Sequence, residues 1–288
     1  MPYSQPITDI IRARFSCRTY AEHPIEEGTR RRLADFAAAT PAGPFGNQAR
    51  FELVAASSQD RAALRGLGTY GMIKGATGFL IGAANKAQEY EEDLGYLMER
   101  LVLFATDLGL GTCWLGGTFT KSSFAQKIAV TENEIVPAVV AVGYIAERGR
   151  AQDSVIRLGA RADRRYPWEH LFFEGGFSTS LSQEAAGAYA LPLEMVRLGP
   201  SASNKQPWRI VKDGNAWHFY MHRSRGYGDS SLVRFWTVAD MQRIDLGIAM
   251  CHFELTAHQL GLSGRWVLDD PGIRTPDDRT SYTVSWIG

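Results

Sequence analysis

Residues 93–114 read DLGYLMERLVLFATDLGLGTCW, and residues 245–266 read DLGIAMCHFELTAHQLGLSGRW. The two stretches align without a gap at an offset of 152 (245 minus 93), from a shared Asp-Leu-Gly through a second shared Leu-Gly-Leu to a shared tryptophan. Self-similarity at a constant offset indicates two copies of one supersecondary unit. The alternative is a coincidence between two amphipathic helices.

Apolar residues recur at helical spacing in both copies, which predicts one core helix in each. Glycines follow the first pattern at Gly109 and Gly111, where a helix C-cap is expected. Two such helices packed about a local two-fold axis would imitate a homodimer within one chain. The positions that carry the two patterns are Leu94, Leu97, Met98, Leu101, Ala105 and Leu108 in the first copy, and Ile244, Ile248, Cys251 and Leu255 in the second.

Strand-like segments occur on both sides of these helices, so the predicted fold class is α+β. A polar connector at 147–165 is rich in Arg, Asp and Gly and separates a first half, residues 1–165, from a second half, residues 166–288. We expect the two halves to form one compact unit. The predicted strands are 50–55, 78–83, 138–144, 208–212, 216–221 and 280–287.

The composition is that of a soluble globular protein, with 45% hydrophobic and 22% charged residues in a chain of 288. Basic and acidic residues both number 31, so no net charge attracts nucleic acid or an anionic membrane. Three widely spaced cysteines fit neither a disulfide framework nor a paired zinc site. The N-terminus lacks a signal-peptide pattern and the apolar runs are too short to span a membrane. We therefore expect a cytoplasmic protein without nucleic-acid or membrane partners.

Near the N-terminus, Arg14, Ser16 and Arg18 alternate along the chain, so an extended backbone would direct all three side chains to one side. Arginine binds phosphate through two donors at once, and a phosphate needs local arginines here because the chain has no net positive charge. This pattern predicts an anion site. A solvated surface is the alternative.

Two further segments have the composition of ligand-binding loops. Residues 109–117, GLGTCWLGG, have glycines that would let a flat ligand approach the backbone, but the preceding helix excludes a dinucleotide fingerprint. Residues 200–208, PSASNKQPW, offer hydroxyl and carboxamide groups between two prolines. The alternative for each is a plain helix stop and turn.

Two other groups of titratable residues are typical of a structural role and not of a functional site. Glu254 and His258 lie four residues apart on a core helix with no third metal ligand nearby, so we expect no metal site. His218 and His222 lie in an aromatic strand without an evident base or nucleophile partner.

In chain order, the segments 14–20, 70–76, 109–117 and 200–208 resemble the nitroreductase superfamily, and most closely its two-repeat branch, called the TM nitroreductase type. The resemblance spans nearly the whole chain. It implies a nitroreductase-like fold with two related halves fused as a pseudo-dimer, and an FMN bound between the halves. Since one chain supplies both halves, it also implies a monomer with an internal pseudo-two-fold axis.

The resemblance also implies which residues hold the FMN. In the family, an Arg-x-Ser-x-Arg segment contacts the FMN phosphate and ring, and the loop after the glycine-rich segment runs beside the flavin with the Gly116 amide near N5. Basic residues after the last strand of the first half also bind the phosphate there, and Arg161, Arg164 and Arg165 are the candidates. The first-half residues implied as cofactor-binding are Arg14, Phe15, Ser16, Arg18, Trp114, Leu115, Gly116, Gly117, Arg161 and Arg165.

In dimeric relatives the Pro-Ser-x-x-Asn segment reaches the flavin of the opposite subunit. By resemblance, the second half therefore contributes Pro200, Ser201, Asn204 and Gln206. At an offset of 159 (200 minus 41), the first half has Phe45, Asn47 and Ala49 where the second has Asn204, Gln206 and Trp208. The second half in turn lacks an Arg-x-Ser-x-Arg segment. We therefore predict one complete site, to which each half contributes part.

The implied function is an oxidoreductase in which NAD(P)H reduces FMN and the reduced flavin passes hydride or electrons to a small-molecule acceptor, such as a nitroaromatic or a quinone. No side chain is assigned a catalytic role. Two alternatives stay open: a specialised dehalogenase or dehydrogenase relative, and a flavin-binding protein without catalytic activity.

Overall fold

A computed structural model describes residues 2–40, 42–57, 60, 62–117, 119–147, 164–225 and 239–288. Among these residues, no helix combines the length and the apolar character needed to cross a lipid bilayer. Most of the connector predicted at 147–165, including Arg161, lies outside the described residues.

The first half contains a five-stranded antiparallel sheet. Its strands follow the order β1-β2-β5-β3, and β4 pairs with β2. They are β1 (Ala49–Ala55), β2 (Gly78–Asn85), β3 (Gly111–Leu115), β4 (Glu134–Ile135) and β5 (Val139–Gly143). The helices are α1 (Ile7–Ala13), α2 (Glu27–Ala38), α3 (Tyr90–Asp107) and α4 (Lys121–Lys127).

The second half contains another five-stranded sheet, in the order β6-β7-β8-β10-β9. Of the strand pairs that the structure describes in this sheet, only β6–β7 is parallel. The strands are β6 (Phe172–Glu174), β7 (Trp208–Asp213), β8 (Ala216–His222), β9 (Arg265–Val267) and β10 (Thr280–Ile287). The helices are α5 (Gln183–Ala186), α6 (Ala190–Leu198) and α7 (Met241–Gln259), with short 3-10 turns at Trp168–His170, Gly187–Tyr189 and Ala202–Asn204.

The two halves share one topology. The order β1-β2-β5-β3 in the first sheet corresponds strand by strand to β7-β8-β10-β9 in the second, and in each half the long helix follows the second strand of this set. The predicted α+β class is thereby confirmed, and the shared strand order supports the predicted duplication. β6, at the edge of the second sheet, is an addition to the shared pattern.

The long helices α3 and α7 cross at the Asp-Leu-Gly repeat. A Cβ on Gly95 would lie 2.2 Å from the carbonyl oxygen of Ile244, and a Cβ on Gly247 would lie 2.0 Å from that of Glu92. Each glycine therefore lets the backbone of the other helix approach to direct contact. This reciprocal contact is the pseudo-two-fold packing that the repeat predicted.

The core explains why β2 is an almost unbroken apolar run. Leu80 and Ala84 face an apolar cluster that includes α3, α7 and residues of the second sheet. Phe79, Ile81 and Ala83 face a separate cluster on the other side of the first sheet, where Phe124 of α4 packs. A strand covered on both faces lacks the apolar-polar alternation of an exposed sheet.

All six predicted strands are present, with ends that differ by at most two residues. Four short strands of the described residues were not predicted: β3, β4, β6 and β9. β3 (Gly111–Leu115) was expected to be part of a glycine-rich loop, whereas Gly111 begins a strand and Gly109, at φ 79°, is the left-handed residue after α3. β4 has two residues and β6 and β9 have three each, too few to display a period of two, whereas the glycines in and around β3 are also typical of a turn.

Candidate functional site

The segment from Ser16 to Tyr20 lies extended between β3 and the loop at 70–76. Ser16 pairs in parallel with Thr112 of β3, and the Cys17 amide donates to the Thr112 carbonyl at 2.8 Å. On its other side, the Tyr20 amide donates to the Lys74 carbonyl at 2.9 Å. Three of the four predicted segments are therefore neighbours in space.

Arg18 lies in this extended segment with two guanidinium nitrogens buried. In the described part of the chain, neither Nε nor Nη1 of Arg18 has a hydrogen-bond partner. A buried charged donor without an acceptor costs free energy, so this position suits an anion or another strong acceptor. Arg14, at the end of α1, and the partly exposed Ser16 precede it, while Phe15 packs against the apolar cluster that contains α4.

The predicted flavin loop begins where β3 ends. Leu115 is buried, and the Trp114 indole Nε1 donates to Glu99 Oε2 of α3 at 2.8 Å. A Cβ on Gly116 would lie 2.3 Å from Sδ of Met241, the first residue of α7, whereas one on Gly117 would meet nothing within 4 Å. The second half therefore packs directly on this loop of the first.

The predicted second-half loop is compact and internally hydrogen-bonded. The Gln206 amide donates to the Ser201 hydroxyl at 2.9 Å, and the Asn204 amide donates to the Ser201 carbonyl at 2.9 Å. Ser203, Asn204 and Gln206 all have positive φ, between 47° and 55°. Such conformations are costly for residues with side chains and often occur at binding sites.

The last residues of the connector, and Tyr166 directly after it, are hydrogen-bonded to this loop. The Arg164 carbonyl accepts from Asn204 Nδ2 at 2.9 Å, and the Tyr166 amide donates to Gln206 Oε1 at 2.8 Å. The Arg165 guanidinium donates to the Leu198 carbonyl at 3.1 Å and to Asn204 Oδ1 at 3.4 Å. The structure therefore groups Arg165 with Asn204 and Gln206, just after Pro200.

Helix α7 connects these two groups of residues. Met241 packs on Gly116, and both carboxylate oxygens of Asp245 accept from the Ala202 amide, at 3.0 and 3.1 Å. Met241 and Asp245 are four residues apart and so share one face of the helix. The two parts of the predicted site thus meet on the first turns of α7.

Burial is the main cause of the pKa shifts of the two aspartates that contact these loops. Asp245 is almost fully buried, and this desolvation raises the pKa of its carboxyl well above the ordinary value. Its repeat partner Asp93 also has a raised pKa, with burial as the main cause, while its carboxylate accepts from the Phe45 and Asn47 amides at 2.9 and 2.8 Å. Each aspartate therefore holds the equivalent loop of its own half.

Several residues that shape the site were not among those predicted for it. Asp245 could have been found, since it belongs to the repeated Asp-Leu-Gly. Met241 and Glu99 carried no such signal, because their contacts join segments far apart in the chain.

His218 and His222 contact hydroxyls of β10, at 2.7 Å to Ser285 and 2.9 Å to Thr280.

Comparison with known proteins gives a family match over most of the chain. The model of a family described as "Putative TM nitroreductase" matches residues 6–257. No curated protein matches the chain.

Solved structures with a similar fold include one described as a putative nitroreductase from Thermotoga maritima, at 19% identity and a TM-score of 0.61, covering 98% of this chain and 94% of that one. This likeness confirms the nitroreductase-like fold. An oxidoreductase containing FMN matches at 21% identity and a TM-score of 0.49, covering 62% and 96% of the two chains. A nitroreductase with bound FMN from Bacteroides fragilis matches at 22% identity and 0.40, covering 50% and 91%.

Proposed function

Because the chain belongs to the nitroreductase family whose model it matches, we propose that it is an FMN-dependent oxidoreductase. In this proposal NAD(P)H is the electron donor. The electrons pass to a small acceptor such as a nitroaromatic or a quinone.

The observation that carries the proposal is the convergence on α7. The Arg14–Arg18 segment lies on β3, the loop after β3 packs on Met241, and the loop from Pro200 to Gln206 is held by Asp245 on the same helix face. Segments more than 180 residues apart in sequence thus border one region, with each half supplying part of it.

The residues of this region suit the parts of FMN. Arg18 has two buried donors that suit a phosphate or another strong acceptor, and Arg14 lies four residues before it. Arg165 would add a third cation from the end of the first half, next to Asn204. Since the whole chain has a formal net charge of +0, these local cations would supply the attraction for a phosphate.

Bound FMN would supply the hydride and electron chemistry of the reaction. The contributions of the chain are binding and orientation. Gly116 and Gly117 would let the ring approach the backbone, while Ser201, Asn204 and Gln206 offer hydroxyl and carboxamide groups for its polar edge. Trp114 and Leu115 position the loop, and Met241 adds an apolar wall from the second half.

We propose that the protein is a monomer with an internal pseudo-two-fold axis. The halves 1–165 and 166–288 would together form a complete site, so a monomer would suffice. Cys17, Cys113 and Cys251 are buried and widely spaced in the sequence, as suits a reducing compartment, and we propose the cytoplasm.

The test is an absorbance spectrum of the purified protein after incubation with FMN and removal of the excess, recorded before and after NADPH is added without oxygen. We expect flavin bands that bleach on addition of NADPH. Bands that persist with both NADPH and NADH would refute the proposed donor. Absence of bands after FMN incubation would refute the site itself.

A further inference from the structure

A buried chain of hydrogen bonds runs from the proposed flavin loop into the second half. The Trp114 indole donates to Glu99 Oε2 at 2.8 Å, and Glu99 Oε1 lies 3.0 Å from His252 Nε2. His252 Nδ1 lies 2.8 Å from the carbonyl oxygen of Met195 in α6. Glu99 and His252 belong to different halves, and both are completely buried.

The partners determine where the protons lie. The Met195 carbonyl can only accept, so His252 Nδ1 must carry a hydrogen. The Trp114 indole can only donate, so Glu99 Oε2 must accept. One proton is left between Glu99 Oε1 and His252 Nε2, and the pair is neutral as a whole whichever atom holds that proton. Every polar atom of the two side chains therefore has a partner.

The second half contains a similar arrangement, in which the glutamate lies at a different position of the long helix. The Trp266 indole donates to Glu254 Oε2 at 2.7 Å, and Glu254 also hydrogen-bonds Tyr96 of α3. At the repeat offset of 152, however, Glu99 corresponds to Cys251 and Glu254 corresponds to Val102. Each half thus anchors the equivalent tryptophan to its own long helix, through a glutamate placed differently along that helix.

The two arrangements differ in the residues that come after the tryptophan. Trp114 is followed by Leu115, Gly116 and Gly117, and Gly116 contacts Met241. Trp266 is followed by Val267, Leu268 and Asp269, and Leu268 is 55% exposed. Only the first tryptophan therefore leads into the loop proposed to meet FMN.

We propose that Glu99 and His252 are positioning residues, through which the second half holds Trp114 and the loop after it in place for FMN. This inference rests on the proposed function. Gly116 and Gly117 have no side chains to anchor them, so Trp114 is the nearest polar anchor of the loop. A buried polar pair of this kind is weak evidence for stability, because a well-packed apolar replacement is often as stable. We therefore expect that breaking this pair changes the placement of Trp114 and of the loop that follows it.

The experiment compares matched variants of the two arrangements in the full-length protein. Glu99→Leu removes the acceptor of Trp114, and Glu254→Leu removes that of Trp266. Glu99→Gln retains an acceptor for Trp114 and offers a donor to His252 Nε2. Each protein is titrated with FMN, with flavin fluorescence as the readout. Amide hydrogen exchange of peptides that cover residues 111–117 is measured separately without FMN.

We expect Glu99→Leu to weaken FMN binding about tenfold or more and to accelerate exchange at 111–117. We expect Glu99→Gln to stay within about threefold of the unchanged protein, and Glu254→Leu within about twofold. If Glu99→Leu does not fold, Trp114→Phe replaces it, with Trp266→Phe as its control. In that pair, only Trp114→Phe should weaken binding and accelerate exchange.

The inference is overturned if the first-half variant binds FMN as tightly as the unchanged protein, or if the second-half control weakens binding equally. It is also overturned if exchange at 111–117 does not change. If the unchanged protein fails to bind FMN, the proposed function fails instead. The exchange measurement still shows, without FMN, whether Glu99 holds this loop.

Discussion

Gly95 and Gly247 occupy equivalent places in the two halves, and at both the opposite helix approaches the glycine backbone more closely than a side chain would allow. Asp93 and Asp245, two residues earlier in each copy, both hold a loop of their own half through backbone amides. The loops they hold, in contrast, differ in chemistry. The halves therefore retain the same supporting contacts but have different loop side chains.

The loops themselves show where the halves diverge. The first half has Phe45 and Asn47 where the second half has Asn204 and Gln206. The second-half loop has three residues in left-handed conformation and is hydrogen-bonded to residues 164–166. One half can change its loop side chains while the aspartate keeps the loop backbone in place. The aspartate contacts are thus common to both halves, whereas the loop side chains proposed to meet FMN belong to the second half.

The largest effect is expected from a change in the shared helix crossing. In Gly247→Ala the new Cβ would meet the Glu92 carbonyl oxygen at 2.0 Å, and backbone cannot move aside cheaply. We expect a loss of about 3 kcal/mol or more in the free energy of unfolding, measured by urea denaturation. The control Gly28→Ala in α2 meets nothing within 4 Å and should gain up to about 1 kcal/mol. Equal stability of the two variants would contradict the close crossing.

The next largest effect is expected from a change in the Arg-x-Ser-x-Arg segment, which the first half has and the second half lacks. Arg18→Glu places a carboxylate where two buried donors now lie, and repulsion of a phosphate adds to the lost hydrogen bonds. We expect FMN binding to weaken about a hundredfold. Arg12→Glu is the control, because Arg12 is on the exposed face of α1 and pairs only with Asp9 at 3.6 Å among the contacts described. Unchanged FMN binding in Arg18→Glu would refute the phosphate role.

The smallest effect concerns an asymmetry at the interface between the halves. Glu92 occupies the place of Ile244 in the other copy, and burial raises the pKa of its carboxyl from 4.5 to about 7, although Arg243 donates to it at 2.7 Å. Because its pKa is raised, the folded state binds this proton more tightly than the unfolded state does. The free energy of unfolding is therefore highest at low pH, and part of it is lost as pH rises from 4.5 through 7.

We therefore expect Glu92 to reduce the stability of the protein by roughly 2 kcal/mol more at pH 7 than at pH 5. The measurement is the difference in unfolding free energy between the unchanged protein and Glu92→Gln at both pH values. Gln cannot titrate, so it should remove this part of the pH dependence. A difference that does not vary with pH would show that Glu92 has an ordinary pKa.

The sequence predicted the parts of the fold that depend on long, regular patterns. The core helices and six of the strands followed from apolar spacing, and the repeat predicted the pseudo-two-fold packing. β3 was not predicted, because Gly111 and the nearby glycines are also typical of a turn. The candidate site residues remain predictions, although the structure brings most of the predicted segments into contact.

What the sequence determined by itself is the duplication, since Asp-Leu-Gly and its flanking pattern recur at one offset in the chain. The types of residue available for an anion and a flat ligand were also visible there. Only the tertiary structure decided that Met241 packs on Gly116 and that Glu99 meets His252. The physical reason is distance along the chain: these contacts join residues more than 120 positions apart, where local pattern and propensity carry no information.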